Sequence, residues 1–255
     1  MRIKKLQLSE NSSNPSLAVL WKDRWVVLSR LLAQGSRDSS EEFRLLETSS
    51  GDLIAFLQNR PSFEGKLNSL LNEADLDRCC QTKDMKEVIP FRPLLYRDFM
   101  LCERHVINST RGFIGKIRPK MLPVIKLYEA VFRRPMPALK PSDAWYANPV
   151  YYKGNHLSFV VGGETIVYPD YATIKDYELE VGMIISKDLF NATEAEGLSA
   201  IGAFCVFNDF SARNVQFDEM RKMIRQMTST EGKRRRMASS TEKAPTPPRT
   251  KVRSG

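Results

Sequence analysis

An α+β fold is predicted for this 255-residue chain. The first reason is a run of strand-like segments broken by turns between Trp145 and Phe210. The second is helix-like spacing near Asp52 and between Ile117 and Phe132. The third is an abrupt loss of apolar residues beyond about residue 228. These divide the chain into a small N-terminal domain over residues 1–90, a mostly β domain over residues 91–220 and a basic tail over residues 221–255 that is expected to be disordered. At 42% apolar residues, the body can bury a core without disulfide or metal staples.

In chain order, Leu17-Ala-Val-Leu and Trp25-Val-Val-Leu-Ser read as strands. Asp52-Leu-Ile-Ala-Phe-Leu-Gln reads as a helix capped near Ser50. Ile117 to Phe132 spaces Met121, Ile125, Leu127 and Val131 as one amphipathic helix, stopped by Pro135-Met-Pro. Five strands are then expected: Val150-Tyr-Tyr, Leu157 to Val161, Thr165 to Val167, Tyr177 to Ile185 and Ile201 to Phe207. Gly162-Gly163 is expected as a hairpin turn between two of them. No Lys-Ser/Thr follows those glycines, so a nucleotide-binding loop is not predicted.

The formal charge of +9 is unevenly distributed. Residues 1–220 hold 28 basic and 28 acidic side chains, so the last 35 residues hold 11 and 2. A neutral body cannot steer nucleic acid by its field, which leaves Lys233-Arg-Arg-Arg in the tail as the segment suited to a polyanion or a nuclear address. Cys79, Cys80, Cys102 and Cys205 lack a C-x-x-C spacing and point to a reducing compartment. Two histidines exclude a finger-type zinc site. Met1-Arg-Ile-Lys-Lys-Leu is not a signal peptide and no stretch of about 18 apolar residues occurs, so a soluble cytoplasmic protein is expected.

The chemistry concentrates in Asp176-Tyr-Glu-Leu-Glu-Val-Gly-Met-Ile-Ile. On a strand, Glu178 and Glu180 share a face. Two adjacent carboxylates repel unless one is protonated or a cation lies between them, although a solvated strand edge is the ordinary alternative. A hard ion such as Mg²⁺ would need further oxygen ligands, and Asp209, at the end of the run Ile201 to Phe207, is a candidate. Upstream, Asp98 and His105 stand seven residues apart, a spacing that returns to one face if the segment is helical. His105 alone also fits a structural hydrogen-bonding role.

Asp98-Phe with His105, Pro149-Val-Tyr-Tyr-Lys-Gly-Asn, Asp176-Tyr-Glu-Leu-Glu and Asn208-Asp-Phe-Ser-Ala-Arg-Asn-Val-Gln216 follow one another in an order that resembles the fumarylacetoacetate hydrolase family. The likeness runs from about Phe91 to Gln216. It implies a β-roll catalytic domain in which Asp98, Glu178, Glu180 and Asp209 bind Mg²⁺, Mn²⁺ or Ca²⁺. It further implies His105 as general base, Arg213 and Gln216 as holders of the substrate's oxygens, and Tyr152 as part of the substrate pocket. Family substrates are β-dicarbonyl or 2-oxo acids, cleaved as in acylpyruvate hydrolysis or decarboxylated, hydrated or isomerised, and members commonly form homodimers.

Past Gln216 the family's Gly-rich turn, active-site lysine and closing strands are not legible. Lys222 and Lys233 lack the expected surroundings and receive no role. The chain is therefore expected to be a C-terminally truncated or divergent member, with catalysis impaired by the missing half. The competing expectation is a non-catalytic isoform or interaction subunit that pairs with a full-length relative.

Overall fold

The computed structural model describes residues 1–9, 14–35 and 38–219. It forms two compact units, Met1–Gly162 and the chain from Gly163 onward. Helices and sheets are both present, as the α+β reading requires. The expected tail, residues 221–255, lies outside the described residues.

The first unit opens with β1 (Ile3–Gln7), β2 (Ser16–Trp21) and β3 (Arg24–Val27), followed by α1 (Leu28–Gln34), α2 (Glu41–Ser49), α3 (Leu53–Glu73), α4 (Leu76–Cys79) and β4 (Lys86–Val88). The strands form an antiparallel sheet in the order β3-β2-β1-β4. Leu6, Leu17, Ala18, Val19, Val26 and Val27 are fully buried on it. Helix α3 buries Leu53, Phe56, Phe63, Leu67 and Leu71 along one stripe, with the Phe56 and Phe63 rings 5.2 Å apart. Its N-cap is Asp52 rather than Ser50, because the Asp52 carboxylate accepts the Ala55 N–H at 3.0 Å.

The unit continues through β5 (Asp98–Phe99), α5 (Glu103–Ile117), α6 (Leu122–Phe132), α7 (Asp143–Ala147) and β6 (Tyr151–Tyr152). The single helix expected from Ile117 to Phe132 is instead the end of α5, a 3₁₀ turn at Pro119–Met121 and then α6. Proline is the cause. Pro119 offers no N–H and forces Arg118 out of the helical region, to φ −136° and ψ 64°. Ile107, Ile125 and Leu139 pack α5 against α6 and the turn at Pro137–Leu139.

The second unit holds β7 (Lys175–Ile185), α8 (Glu194–Ser199) and β8 (Ile201–Ala212). Strands β7 and β8 form a two-stranded antiparallel ribbon. A capping box starts α8, with Thr193 and Glu196 satisfying each other's backbone N–H groups. Leu157 to Val161 and Thr165 to Val167 are not strands; Gly162-Gly163 is a turn, with Gly163 at φ +91°, but it joins no paired strands.

Candidate functional site

In the second unit the register decides which side chains meet. Glu178 stands opposite Asp209, Glu180 opposite Phe207, Asp176 opposite Ser211 and Gly182 opposite Cys205. Directly opposed residues share a face, so Asp176, Glu178, Glu180 and Asp209 all lie on one side of the ribbon. Glu178, Glu180 and Asp209 are half-buried there, and a carboxylate oxygen of Glu180 lies within 4.8 Å of one from Asp209. A Cβ on Gly182 would come within 2.6 Å of the Cys205 sulfur, so glycine keeps the ribbon closed beside the acids.

Arg213, one residue beyond β8, organises this face. Its guanidinium donates to Asp176 Oδ2 at 2.7 Å and to Gln216 Oε1 at 2.8 Å, and pairs with Glu178 Oε1 at 2.6 Å. Its backbone N–H donates to the Ile174 carbonyl, fixing the base of the side chain against the start of β7. Glu178 thus faces two partners, the cation on one side and the Asp209 carboxyl across the ribbon. Burial first, and then the neighbouring Glu178 charge, push the Asp209 carboxyl above its ordinary value, with Arg213 pulling it partly back.

Three residues given no role by the sequence reading hold this arrangement. Asp176 anchors Arg213. The Asn214 side-chain oxygen accepts from the Thr173 and Ile174 N–H groups at 3.0 and 3.2 Å, while its amide donates to the Tyr171 carbonyl at 2.8 Å. The Tyr168 hydroxyl donates to the Asp176 carbonyl at 2.6 Å. Only the signal for Asp176 was visible beforehand, as a third acid in period-2 spacing with Glu178 and Glu180.

The remaining sequence-predicted residues belong to the first unit. Asp98 pairs directly with Tyr152 across β5 and β6, and Phe99 with Tyr151, whose rings are 5.3 Å apart. The Arg97 guanidinium lies 5.4 Å from the Tyr151 ring centre. Gly154 is required nearby, because a Cβ there would run into the Tyr96 ring. His105 lies in the first turn of α5, its Nε2 3.3 Å from the Ser109 hydroxyl one turn on. The expectation of one helical wall shared by Asp98 and His105 is therefore corrected: the aspartate is on a strand and the histidine on the following helix.

The arrangement can hold a hard cation on carboxylate oxygens beside a fixed guanidinium, a pairing suited to a substrate that carries its own negative charge. Residues 127–241 match the family model described as the fumarylacetoacetate hydrolase C-terminal domain. That match takes in β6, β7 and β8 with Arg213 and Gln216, begins after Asp98 and His105, and runs beyond Gln216, where the motif reading lost the likeness. The chain is also 33% identical over 85 residues to the mitochondrial oxaloacetate tautomerase of Caenorhabditis elegans. The aligned part covers 33% of this chain and 39% of that protein, so the chain spans about two fifths of the relative's length. The motif order and the ribbon that carries it agree with that match: residues 127–241 of this chain are similar to the fumarylacetoacetate hydrolase C-terminal domain.

Proposed function

We propose that the chain is a divalent-metal-dependent enzyme that hydrolyses a carbon–carbon bond in β-dicarbonyl or 2-oxo acids of the acylpyruvate type. The observation that carries this reading is the acid-bearing, half-buried face of the β7–β8 ribbon, where Glu178 opposes Asp209 and Glu180 approaches it. Carboxylates this close need a proton or a cation, and the Asp209 carboxyl is raised first by burial and then by the neighbouring Glu178 charge. The donors are oxygens, which fit Mg²⁺ first and Mn²⁺ or Ca²⁺ next. In this reading Glu178, Glu180 and Asp209 hold the ion, joined by Asp98 on the family resemblance. When bound, the ion supplies Lewis acidity toward the adjacent oxygens of the substrate.

The protein's own groups then perform the proton and charge work. His105 takes a proton from water, and the hydroxide bonds to the acyl carbonyl carbon. The bond between that carbon and the neighbouring methylene breaks, leaving its electron pair as an enolate whose negative charge Arg213 meets. Gln216, already bonded to Arg213, orients a substrate oxygen, and Tyr152 contacts the organic part. The proton held by His105 returns to the carbon, so water is consumed and two acids leave. A second reading, keto–enol transfer on a 2-oxo acid, is favoured by the tautomerase relative and uses the same donors without addition of water.

By the same resemblance the protein works as a homodimer. The free cysteines suit a reducing compartment such as the cytoplasm. No helix among the described residues is long and apolar enough to cross a membrane. Mg²⁺ is expected to raise the melting temperature of the wild type but not of Asp209→Asn. His105→Ala should keep that shift and lose acylpyruvate hydrolysis. Enolisation of oxaloacetate without hydrolysis would select the second reading, and loss of both metal response and turnover in the wild type would overturn the enzymatic proposal.

A further inference from the structure

Helix α6 buries one side and leaves another open. Its Ile125 packs against Ile107 and Leu139 within the first unit. Val124, Leu127 and Val131 stand three and four residues apart, so they form a single stripe turned away from Ile125. These three side chains are 50%, 67% and 64% exposed, and Met121 and Phe132 extend the exposed apolar surface at the two ends of the helix.

The surroundings of that stripe are basic. Between Gly112 and Pro135 the sequence holds six cationic residues, Lys116, Arg118, Lys120, Lys126, Arg133 and Arg134, and one acid, Glu129. All six cations are exposed, whereas Glu129 is half-buried and accepts from the Arg111 guanidinium at 2.6 Å. Lys120 precedes Val124 by about one turn, Arg133 caps the far end of α6, and the Arg134 guanidinium lies 5.9 Å from the Phe132 ring centre. Positive charge therefore stands at both ends of the apolar stripe, with no free acid beside it among the described residues of this stretch.

An apolar ridge between cations fits a surface that is negative outside and apolar beneath. A bilayer with anionic headgroups has that order of layers. A specific protein interface takes about 20–30 residues a side, more than this stripe supplies, while a bilayer adds an attraction for each lysine or arginine near its surface. The helix is also convex, so it can enter the headgroup layer but offers no groove to an acidic peptide.

We propose that α6 docks the chain reversibly on an anionic lipid bilayer. Val124, Leu127 and Val131 dip below the headgroups, and the flanking lysines and arginines meet the negative charges. The inference goes beyond the enzymatic reading and does not depend on it, so it is tested in EDTA without substrate.

The full chain is expected to co-sediment with phosphatidylcholine vesicles containing about 30% phosphatidylserine, to leave pure phosphatidylcholine vesicles in the supernatant unbound, and to be released at about 1 M sodium chloride. The double substitution Leu127→Glu, Val131→Glu should weaken binding about tenfold or more with an unchanged far-ultraviolet spectrum, and Lys120→Gln with Arg133→Gln and Arg134→Gln should weaken it as well. The loss caused by the two glutamates should persist when Lys233, Arg234, Arg235 and Arg236 are glutamine, which separates α6 from the basic residues near the C-terminus. A wild type that does not bind, binds both vesicles equally, or binds as well after the α6 substitutions overturns the proposal. If the glutamate variant loses its spectrum, a photocrosslinker at Leu127 decides: capture of vesicle lipid supports the contact, and capture of a second copy alone, or of nothing, overturns it.

Discussion

Arg213 illustrates how one side chain can set the state of several others. Its contacts go to Asp176, Glu178 and Gln216, so Asp209, raised first by burial and then by the Glu178 charge, is pulled back by Arg213 only in part. A simpler pair shows the opposite sign. Asp38 accepts from the Lys66 ammonium at 2.8 Å and from the Ser40 N–H at 2.9 Å, and these bonds hold its carboxyl down at about 2. A folded-state value below the unfolded one means stability that is present in full above the ordinary aspartate value of 3.8 and is lost as pH falls through about 2. Lys66→Met should therefore flatten the fall in melting temperature between those pH values, leaving the smaller part owed to Ser40. An unchanged slope would show that Lys66 does not hold the carboxylate in solution. The acids themselves were legible in the sequence because period-2 spacing fixes a shared face on a strand. The choice of Glu178 as Arg213's partner was not, since it depends on where a guanidinium 35 positions along the chain arrives.

Elements were legible where local chemistry and tertiary partners agree. Strands β7 and β8 were expected from β-prone runs and were found, but β8 continues to Ala212 because β7 supplies a partner down to Lys175. Leu157 to Val161 has equally strand-like composition but joins no strand ladder among the described residues, which is what a propensity that measures cross-strand packing predicts. Proline explains the shortened helix, since the missing N–H at Pro119 breaks the ladder that would join α5 to α6, and of the four apolar residues spaced as one stripe Ile125 is buried while Met121, Leu127 and Val131 are exposed. In α3 the agreement between periodicity and packing makes a quantitative expectation possible. Phe63 is fully buried and lies against Phe56, so Phe63→Ala removes the ring and leaves a cavity that the 21-residue helix cannot close. Urea unfolding of that variant should show a loss of about 3–5 kcal/mol. A loss below about 1 kcal/mol would mean that the helix repacks or that this part unfolds separately from the probe.

At the scale of the whole molecule, net charge opposes the meeting of two copies. Each chain carries +9, and the whole excess is contributed by residues 221–255, so the two copies of the proposed homodimer repel each other through a long-range field. The field is screened over about 10 Å at 0.1 M salt and about 3 Å at 1 M, whereas apolar contact is not weakened by sodium chloride. Dimerisation should therefore strengthen as sodium chloride rises, the reverse of what an interface built on ion pairs does. Converting Lys233, Arg234, Arg235 and Arg236 to glutamine lowers the charge of each chain by four. That variant should dimerise more tightly at low salt and show a shallower dependence on ionic strength, approaching the wild type near 1 M. The measurement is the dissociation constant by sedimentation equilibrium across a salt series. Dissociation on adding salt would assign the association of the proposed homodimer to charged residues rather than to apolar contact.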